Sequence, residues 1–114
     1  MTSQETGQPG EGTPGLSVRP EGDAALVLSG ELDLATAHIL QSALDGILGD
    51  GDLTLDLAGL TFMDSTGIKI LITAARTLEG RGCLILRSPA PPIRRVLELV
   101  QIDRVPGVKV EHLE

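Results

Sequence analysis

A change of hydrophobic period near the middle of the chain limits the folds that it can adopt more than any other feature. Residues 52–57 alternate polar and apolar side chains, which is the pattern of a half-buried β-strand. Apolar side chains then recur at helical spacing as far as Gly80, namely Ile68, Leu71, Ile72, Ala75 and Leu78. The sequence therefore predicts a strand, a loop and a helix in succession, with Ser65 at the start of the helix.

Ser65 has two interpretations at this position. Serine is a favoured helix N-cap because its hydroxyl accepts a hydrogen bond from an unpaired amide of the first turn, and caps are far commoner than functional serines. Alternatively, Ser65 accepts a phosphate, which would meet unpaired backbone N–H groups and the positive end of the helix dipole. A phosphoserine adds about −1.5 to −2 charges at neutral pH, which a partner protein would detect. The position of Ser65 leaves both interpretations open.

Strand and helix patterns alternate along the rest of the chain. Short strands at residues 16–19 and 24–28, joined by a turn, predict a hairpin at one edge of a sheet. A first helix follows, with Thr36 as its cap and residues 49–51 as its end. The apolar face of this helix consists of Leu40, Ala43, Leu44, Ile47 and Leu48.

After the central helix come a strand at residues 83–87, a third helix and a closing strand at residues 108–110. The third helix is expected to turn four apolar side chains inward: Ile93, Val96, Leu97 and Val100. Strands that alternate with helices predict a single α/β domain with a mixed, mostly parallel sheet. Because the polar members of residues 52–57 share one side of their strand, we expect the helices to pack mainly on one face.

Charge and composition exclude several classes of function. The net charge of −7 over 114 residues argues against binding nucleic acid, and Phe62 is the sole aromatic residue, so no surface for stacking bases exists. No apolar run approaches the ~20 residues of a membrane helix, and no secretion signal is visible. We therefore predict a cytoplasmic protein without membrane contact. The single cysteine, Cys83, is interpreted as a small core residue. One domain is predicted over residues 15–112, after a disordered tail at residues 1–14.

Three polar positions follow predicted strands and are expected to meet at the carboxyl edge of the sheet. These are Asp33, Asp64 with Ser65, and Ser88. Asp33 and Asp64 could orient the Ser65 hydroxyl for a kinase and would repel the phosphate once attached. Equally, Asp33 could simply turn the chain before the first helix, and Asp64 is more typical of a loop or cap than of a catalyst. No glycine-rich phosphate loop is present, so no cofactor and no metal site are predicted, and ATP would come with a partner.

Residues 61–67, which read TFMDSTG, occur with GELD at residues 30–33 and SPA at residues 88–90. Together they resemble the STAS-domain anti-sigma factor antagonists, over roughly residues 16–110. The resemblance implies the same one-sided α/β fold and phosphorylation of Ser65 by a partner kinase that is also an anti-sigma factor. Unmodified, the protein would bind that kinase and free its sigma factor; a serine phosphatase would reset the switch. The partner-binding residues so implied are Asp33, Asp64, Ser65, Thr66, Gly67 and Lys69.

Two other functions remain open at this point. One is a different STAS role, either a scaffold that is not phosphorylated or a regulatory subunit of a transport or signalling complex. Residues 101–107 diverge from the family pattern, which leaves the identity of the partner open. The other is an enzyme with Ser65 as nucleophile and His38 or His112 as base, although residues 64–67 do not form the Gly-x-Ser-x-Gly turn of hydrolases. In either case the chain is expected to be a monomer or weak dimer.

Overall fold

Five strands and three helices form in the order that the hydrophobic periods predict, and a computed structural model describes them over residues 15–111. The strands are β1 (Leu16–Pro20), β2 (Ala25–Leu32), β3 (Leu53–Met63), β4 (Leu84–Arg87) and β5 (Val108–Glu111). The helices are α1 (Ala37–Ile47), α2 (Ser65–Leu78) and α3 (Pro91–Leu99), and a turn of 3-10 helix covers Ile102–Arg104. The tail predicted at residues 1–14 and the candidate base His112 lie outside the described residues.

The strands form one sheet in the order β1-β2-β3-β4-β5. β1 pairs antiparallel with β2, whereas β2 with β3, β3 with β4, and β4 with β5 are parallel. Each parallel pair is joined through one helix, as a β-α-β crossover requires. The predicted edge hairpin and the mixed, mostly parallel sheet are both confirmed.

Helices cover one face of this sheet because the strands carry their apolar side chains on that side. In the first half of β3, Leu53, Leu55 and Leu57 are buried, whereas Thr54 and Asp56 are half-buried on the opposite side. This burial confirms the prediction that one face of the sheet is partly exposed to solvent. A strand buried on both faces would instead carry apolar side chains on both sides. The core is almost entirely aliphatic, as the composition requires, and its largest fully buried side chains are Leu28, Leu32, Leu40, Leu44, Leu55, Leu57, Leu60, Leu71, Leu78, Leu84, Leu86 and Ile93.

A charged cluster on the wet face ties the edge hairpin to the centre of the sheet. Arg87 donates hydrogen bonds to Glu21 at 2.8 Å, in the β1–β2 turn, and to Asp56 at 3.2 Å, on β3. The bonds to Glu21 and then Asp56 raise the pKa of the Arg87 guanidinium, so the side chain stays charged. The cluster therefore links the β1–β2 turn to β3 and β4.

β3 is longer than its alternating pattern predicts, because it continues through the glycine-containing segment to Met63. Its pairing with β2 shifts register twice, between Val27 and Ser29 and between Gly30 and Glu31. Bulges of this kind break the strict alternation of side chains, so periodicity does not reveal the strand. Gly59 permits the close approach there, since a Cβ atom on it would lie 2.9 Å from the Cβ of Ser29.

Helix ends account for the other departures from the sequence-based expectation. Thr36 does precede α1, but its side chain makes no cap hydrogen bond to the helix. At the end of α3, Val100 is 46% exposed rather than inward, because α3 stops at Leu99 and the chain turns away through Gln101, at φ 54°. Ile93 and Leu97 are buried as predicted, and Val96 is half-buried.

Within residues 15–111, no helix combines the length and the hydropathy that crossing a bilayer takes. In the same part of the chain, no three His, Cys, Asp or Glu side chains are grouped so that they could hold a metal ion.

Candidate functional site

Ser65 is the first residue of α2, and its side chain is exposed. The cap of the helix is the preceding residue, Asp64, whose Oδ1 accepts hydrogen bonds from the amides of Thr66 at 2.9 Å and Gly67 at 3.4 Å. The interpretation of Ser65 as N-cap is therefore wrong, and that of Asp64 as a capping residue is confirmed. Asp and Ser are about equally good caps, so residue type did not decide between two adjacent candidates. The Ser65 hydroxyl is left free of a capping role.

The same cap changes what a phosphate on Ser65 would meet. The amides of Thr66 and Gly67 are already bonded to the Asp64 carboxylate, and the amide of Ile68 donates to the Asp64 carbonyl at 3.2 Å. The expectation that a phosphate would find unpaired N–H groups is therefore wrong for the amides of Thr66, Gly67 and Ile68. A phosphate on the exposed Ser65 would add its charge one residue from the Asp64 carboxylate.

Asp33 is held in a tight turn between β2 and α1. Its Oδ1 accepts hydrogen bonds from the Thr36 amide at 3.1 Å and from the Thr36 hydroxyl at 3.2 Å. The buried Thr36 hydroxyl accepts in turn from the Asp33 amide at 3.0 Å and lies 2.8 Å from the Glu31 carbonyl. The interpretation of Asp33 as a turn-forming residue is confirmed by these bonds; its contact with a partner stays a prediction.

The two aspartates come from the ends of neighbouring parallel strands. Leu32 pairs with Met63, and the Asp64 amide donates to the Leu32 carbonyl at 3.2 Å. Asp33 and Asp64 therefore follow directly after paired residues, and Ser65 lies one residue beyond. This part of the predicted convergence at the carboxyl edge is confirmed.

Ser88 does not join this group, so that part of the prediction is wrong. β4 pairs with the beginning of β3, with Arg87 opposite Asp56, which brings Ser88 level with Leu57. Leu57 precedes Met63 by six residues of β3, or about 20 Å at the usual rise per residue. The physical reason is that β3 has 11 residues and β4 only 4, so their carboxyl ends do not coincide.

Gly67 contributes to the site through packing. It is buried, and a Cβ atom there would lie 2.7 Å from Met63 Cγ and 2.8 Å from Leu32 Cδ2. Only a glycine lets the first turn of α2 approach the strand ends this closely without displacing buried side chains. Of the other candidate residues, Thr66 is half-buried and Lys69 is exposed.

Two exposed large apolar side chains at the carboxyl ends of β2 and β3 were not predicted as site residues from the sequence. Leu34 is 77% exposed in the turn after Asp33, and Phe62 is 47% exposed at the end of β3. The signal for Phe62 was available, since it is the sole aromatic residue and comes three residues before Ser65. The candidate base His38 is exposed on α1.

The capping geometry can be tested through stability. We expect Asp64→Ala to lower the free energy of unfolding by about 1 kcal/mol, because two amides lose their acceptor, and Asp64→Asn to retain most of it. Ser65→Ala is the matched control and should change stability by less than about 0.5 kcal/mol. Urea unfolding followed by circular dichroism measures all three. A larger loss for Ser65→Ala than for Asp64→Ala would show that the hydroxyl caps the helix in solution.

Comparison with known proteins identifies the family to which this chain belongs. A family model described as "Mlab, STAS domain" matches residues 17–111. The chain therefore belongs to the STAS domain family. Among the curated relatives of this chain is the anti-sigma F factor antagonist of Lysinibacillus sphaericus, 33% identical over 75 residues. That match covers 62% of this chain and 64% of the relative, so this chain spans somewhat less than two thirds of the relative's length.

Solved structures give the same picture of the fold. An anti-sigma factor antagonist from Mycobacterium paratuberculosis superposes with a TM-score of 0.64 at 27% identity, covering 82% of this chain and 83% of that one. The anti-sigma factor antagonist SpoIIAA in its unphosphorylated form gives a TM-score of 0.63 at 19% identity, over 83% of this chain and 86% of that one. The five-stranded mixed sheet with three helices is thus the fold of this family.

Proposed function

We propose that this chain is an anti-sigma factor antagonist that binds an anti-sigma factor with serine kinase activity and is switched off by phosphorylation of Ser65. The observation that carries the proposal is the exposed Ser65 hydroxyl on the first residue of α2, beside the capping carboxylate of Asp64. The names of the relatives support the first part of the proposal, and the description of SpoIIAA as unphosphorylated supports the second. In this scheme the unmodified protein occupies the anti-sigma factor, and the sigma factor is released.

The geometry favours a phosphate on Ser65 that weakens binding to the partner rather than one that alters the fold of the domain. A dianion added at the exposed Ser65 remains on the surface, and the amides of Thr66 and Gly67 already bond to Asp64. Its interaction with the helix dipole, about 0.3–1 kcal/mol, is too small to rearrange the domain. A partner surface that fits a neutral hydroxyl would, however, have to bury this charge beside the Asp64 carboxylate. Loss of docking is therefore the direct consequence of the modification.

The remaining components of the switch come from other proteins. ATP and its metal ion belong to the anti-sigma factor kinase, and a serine phosphatase would restore the unmodified hydroxyl. The proposal places this exchange in the cytoplasm, where sigma factors act. It requires the chain to be a substrate and a binder rather than an enzyme.

Phosphorylation in vitro tests the proposal directly. The purified chain is incubated with ATP, magnesium and the anti-sigma factor kinase of its own organism, and the product is examined by intact-mass and peptide mass spectrometry. We expect one phosphate, located on Ser65, and none on Ser65→Ala. The Thr66 hydroxyl, half-buried on the next residue, is an internal control for site selection. Phosphate on Ser65→Ala, or on Thr66 of the unaltered chain, would contradict the assignment of Ser65.

A further inference from the structure

We propose that the anti-sigma factor approaches Ser65 from the side of β2 and α1, through a positively charged surface, and that an uneven distribution of charge across this domain steers it there. This inference rests on the proposed function. It adds the direction of approach and the chemistry of the partner surface.

The charges of the described chain are divided unequally between its two parts. Residues 15–64 contain nine Asp and Glu and a single basic residue, Arg19, whereas residues 65–111 contain four Asp and Glu and eight Lys and Arg. We call these segments the acidic half and the basic half. Their formal charges are −8 and +4. The net charge of −7 for the whole chain therefore conceals a domain whose two halves carry opposite charge.

The fold converts this division along the sequence into a division in space. The acidic half contains β1, β2, α1 and β3, and the basic half contains α2, β4, α3 and β5. Because the strands lie in the order β1-β2-β3-β4-β5, the two halves occupy different sides of the sheet. Ion pairs cross the boundary between them, from Arg81 to Asp50 and from Arg87 to Glu21 and Asp56. These pairs leave an excess of carboxylates on one side and a smaller excess of basic side chains on the other.

Ser65 begins α2 directly beside the acidic half. The carboxyl half of β3 pairs with β2 as far as Met63 opposite Leu32, whereas β4 pairs with the first four residues of β3 and ends there. The helix that follows β2, α1, also contacts α2. The strand next to the Ser65 end of β3 is therefore β2, whose end and following turn contribute the half-buried carboxylates of Glu31 and Asp33.

Opposite charges on two sides of a domain attract a positively charged surface to one side and repel it from the other. Long-range attraction of this kind acts on the association rate constant, kon, whereas a charge buried in the contact acts on the dissociation rate constant, koff. A phosphate on Ser65 adds negative charge beside the acidic half, so it should not slow the encounter with a positively charged partner. It should instead raise koff, because the phosphate has to be buried after docking.

Stopped-flow association of the full chain with the anti-sigma factor tests the direction of approach. Asp45→Lys in the acidic half and Glu98→Lys in the basic half are matched variants, because both positions are exposed near the carboxyl end of a helix, α1 or α3. At about 20 mM salt, Asp45→Lys should lower kon at least about fivefold and Glu98→Lys less than about twofold. At about 1 M salt, where the Debye length is about 3 Å, both variants should associate at the rate of the unaltered chain. Thermal unfolding by circular dichroism checks that they are folded.

Three results would overturn the inference. Equal slowing by Asp45→Lys and Glu98→Lys would show that only the net charge matters, and faster association of Asp45→Lys would show that the partner surface is negative. Oligomers of the free chain that form at about 20 mM salt and disappear at about 1 M, seen by light scattering, would show that the two halves serve to bind other copies of this chain.

The rate constants also separate this inference from the switch. If Asp45→Lys slows association as expected but the phosphoprotein keeps the koff of the unmodified chain, the direction of approach stands and the switch at Ser65 fails. If the phosphoprotein dissociates faster but the two lysine variants associate at equal rates, the switch stands and the direction of approach fails. An unmodified chain that does not bind the anti-sigma factor at all would refute both.

Discussion

Phosphorylation of Ser65 is expected to raise the Kd for the anti-sigma factor by roughly 10²–10⁴, which corresponds to about 3–5 kcal/mol. This loss of binding free energy is the size expected when a charge is buried in an interface without an oppositely charged group beside it. The amides of Thr66 and Gly67 cannot supply that partner without leaving Asp64. Favourable interaction with the helix dipole exists in both the free and the bound protein, so it cancels from the affinity. Ser65→Glu carries a single charge and should lose a smaller part of the binding energy.

Isothermal titration calorimetry with four forms of the chain distinguishes the effect of a charge at Ser65 on the Kd from a general effect of negative charge. The forms are the unmodified protein, the phosphoprotein, Ser65→Glu, and Thr73→Glu, which adds the same charge at an exposed position two turns along α2. We expect Thr73→Glu to bind nearly as the unmodified protein does, because it lies away from the strand ends. Equal losses for Thr73→Glu and Ser65→Glu would show that net charge, and not the Ser65 contact, controls binding.

A shift of about 5.5 kcal/mol is needed to move a two-state equilibrium from 99% to 1% occupancy. Only the upper end of the expected range reaches this value: with the partner at about 100 times its Kd, an increase of about 10⁴ in Kd takes occupancy from about 99% to about 1%, and an increase of about 10² takes it to about 50%.

The sequence predicted the elements well where one hydrophobic period dominated. The alternation in residues 52–57 and the stripe after Ile68 determine which sides of β3 and α2 are buried, and burial in the structure follows them. Prediction failed where two adjacent residues were equally suited to the same structural role. Asp64 and Ser65 are adjacent residues of equal capping propensity, and only hydrogen-bond geometry shows that Asp64 takes the role.

Other parts of the site depend on long-range geometry that no local pattern contains. Ser88 follows a strand, as Asp33 does, but the register of β4 against the first half of β3 separates it from Ser65. The register shifts between Val27 and Ser29 and between Gly30 and Glu31 similarly interrupt the alternation of β3 before the strand ends. The exposure of Leu34 and Phe62 depends on tertiary packing as well, since only four large hydrophobic side chains in residues 15–111 are exposed.

The largest loss of stability is expected from Leu71→Ala. Leu71 lies on α2, has no exposed surface, and belongs to the aliphatic core. Removing its side chain leaves a cavity that the surrounding leucines cannot fill, so we expect the free energy of unfolding to fall by about 2–5 kcal/mol. Thr73→Ala, two residues further on the exposed side, should change it by less than about 0.5 kcal/mol. Urea unfolding followed by circular dichroism compares the two variants.

Leu71→Ala also tests whether the packing of α2 in the core affects binding and phosphorylation at Ser65. The first turn of α2 is fixed by the Asp64 cap and by the contact of Gly67 with Leu32 and Met63, which do not involve Leu71. Leu71→Ala should therefore lower the folded fraction while the folded molecules keep their affinity and remain substrates for phosphorylation at Ser65. If the folded variant instead bound the anti-sigma factor much more weakly, the contact at Ser65 would depend on core packing along the whole helix. That result would show that the packing of the buried side of α2, rather than its exposed first residue, controls binding.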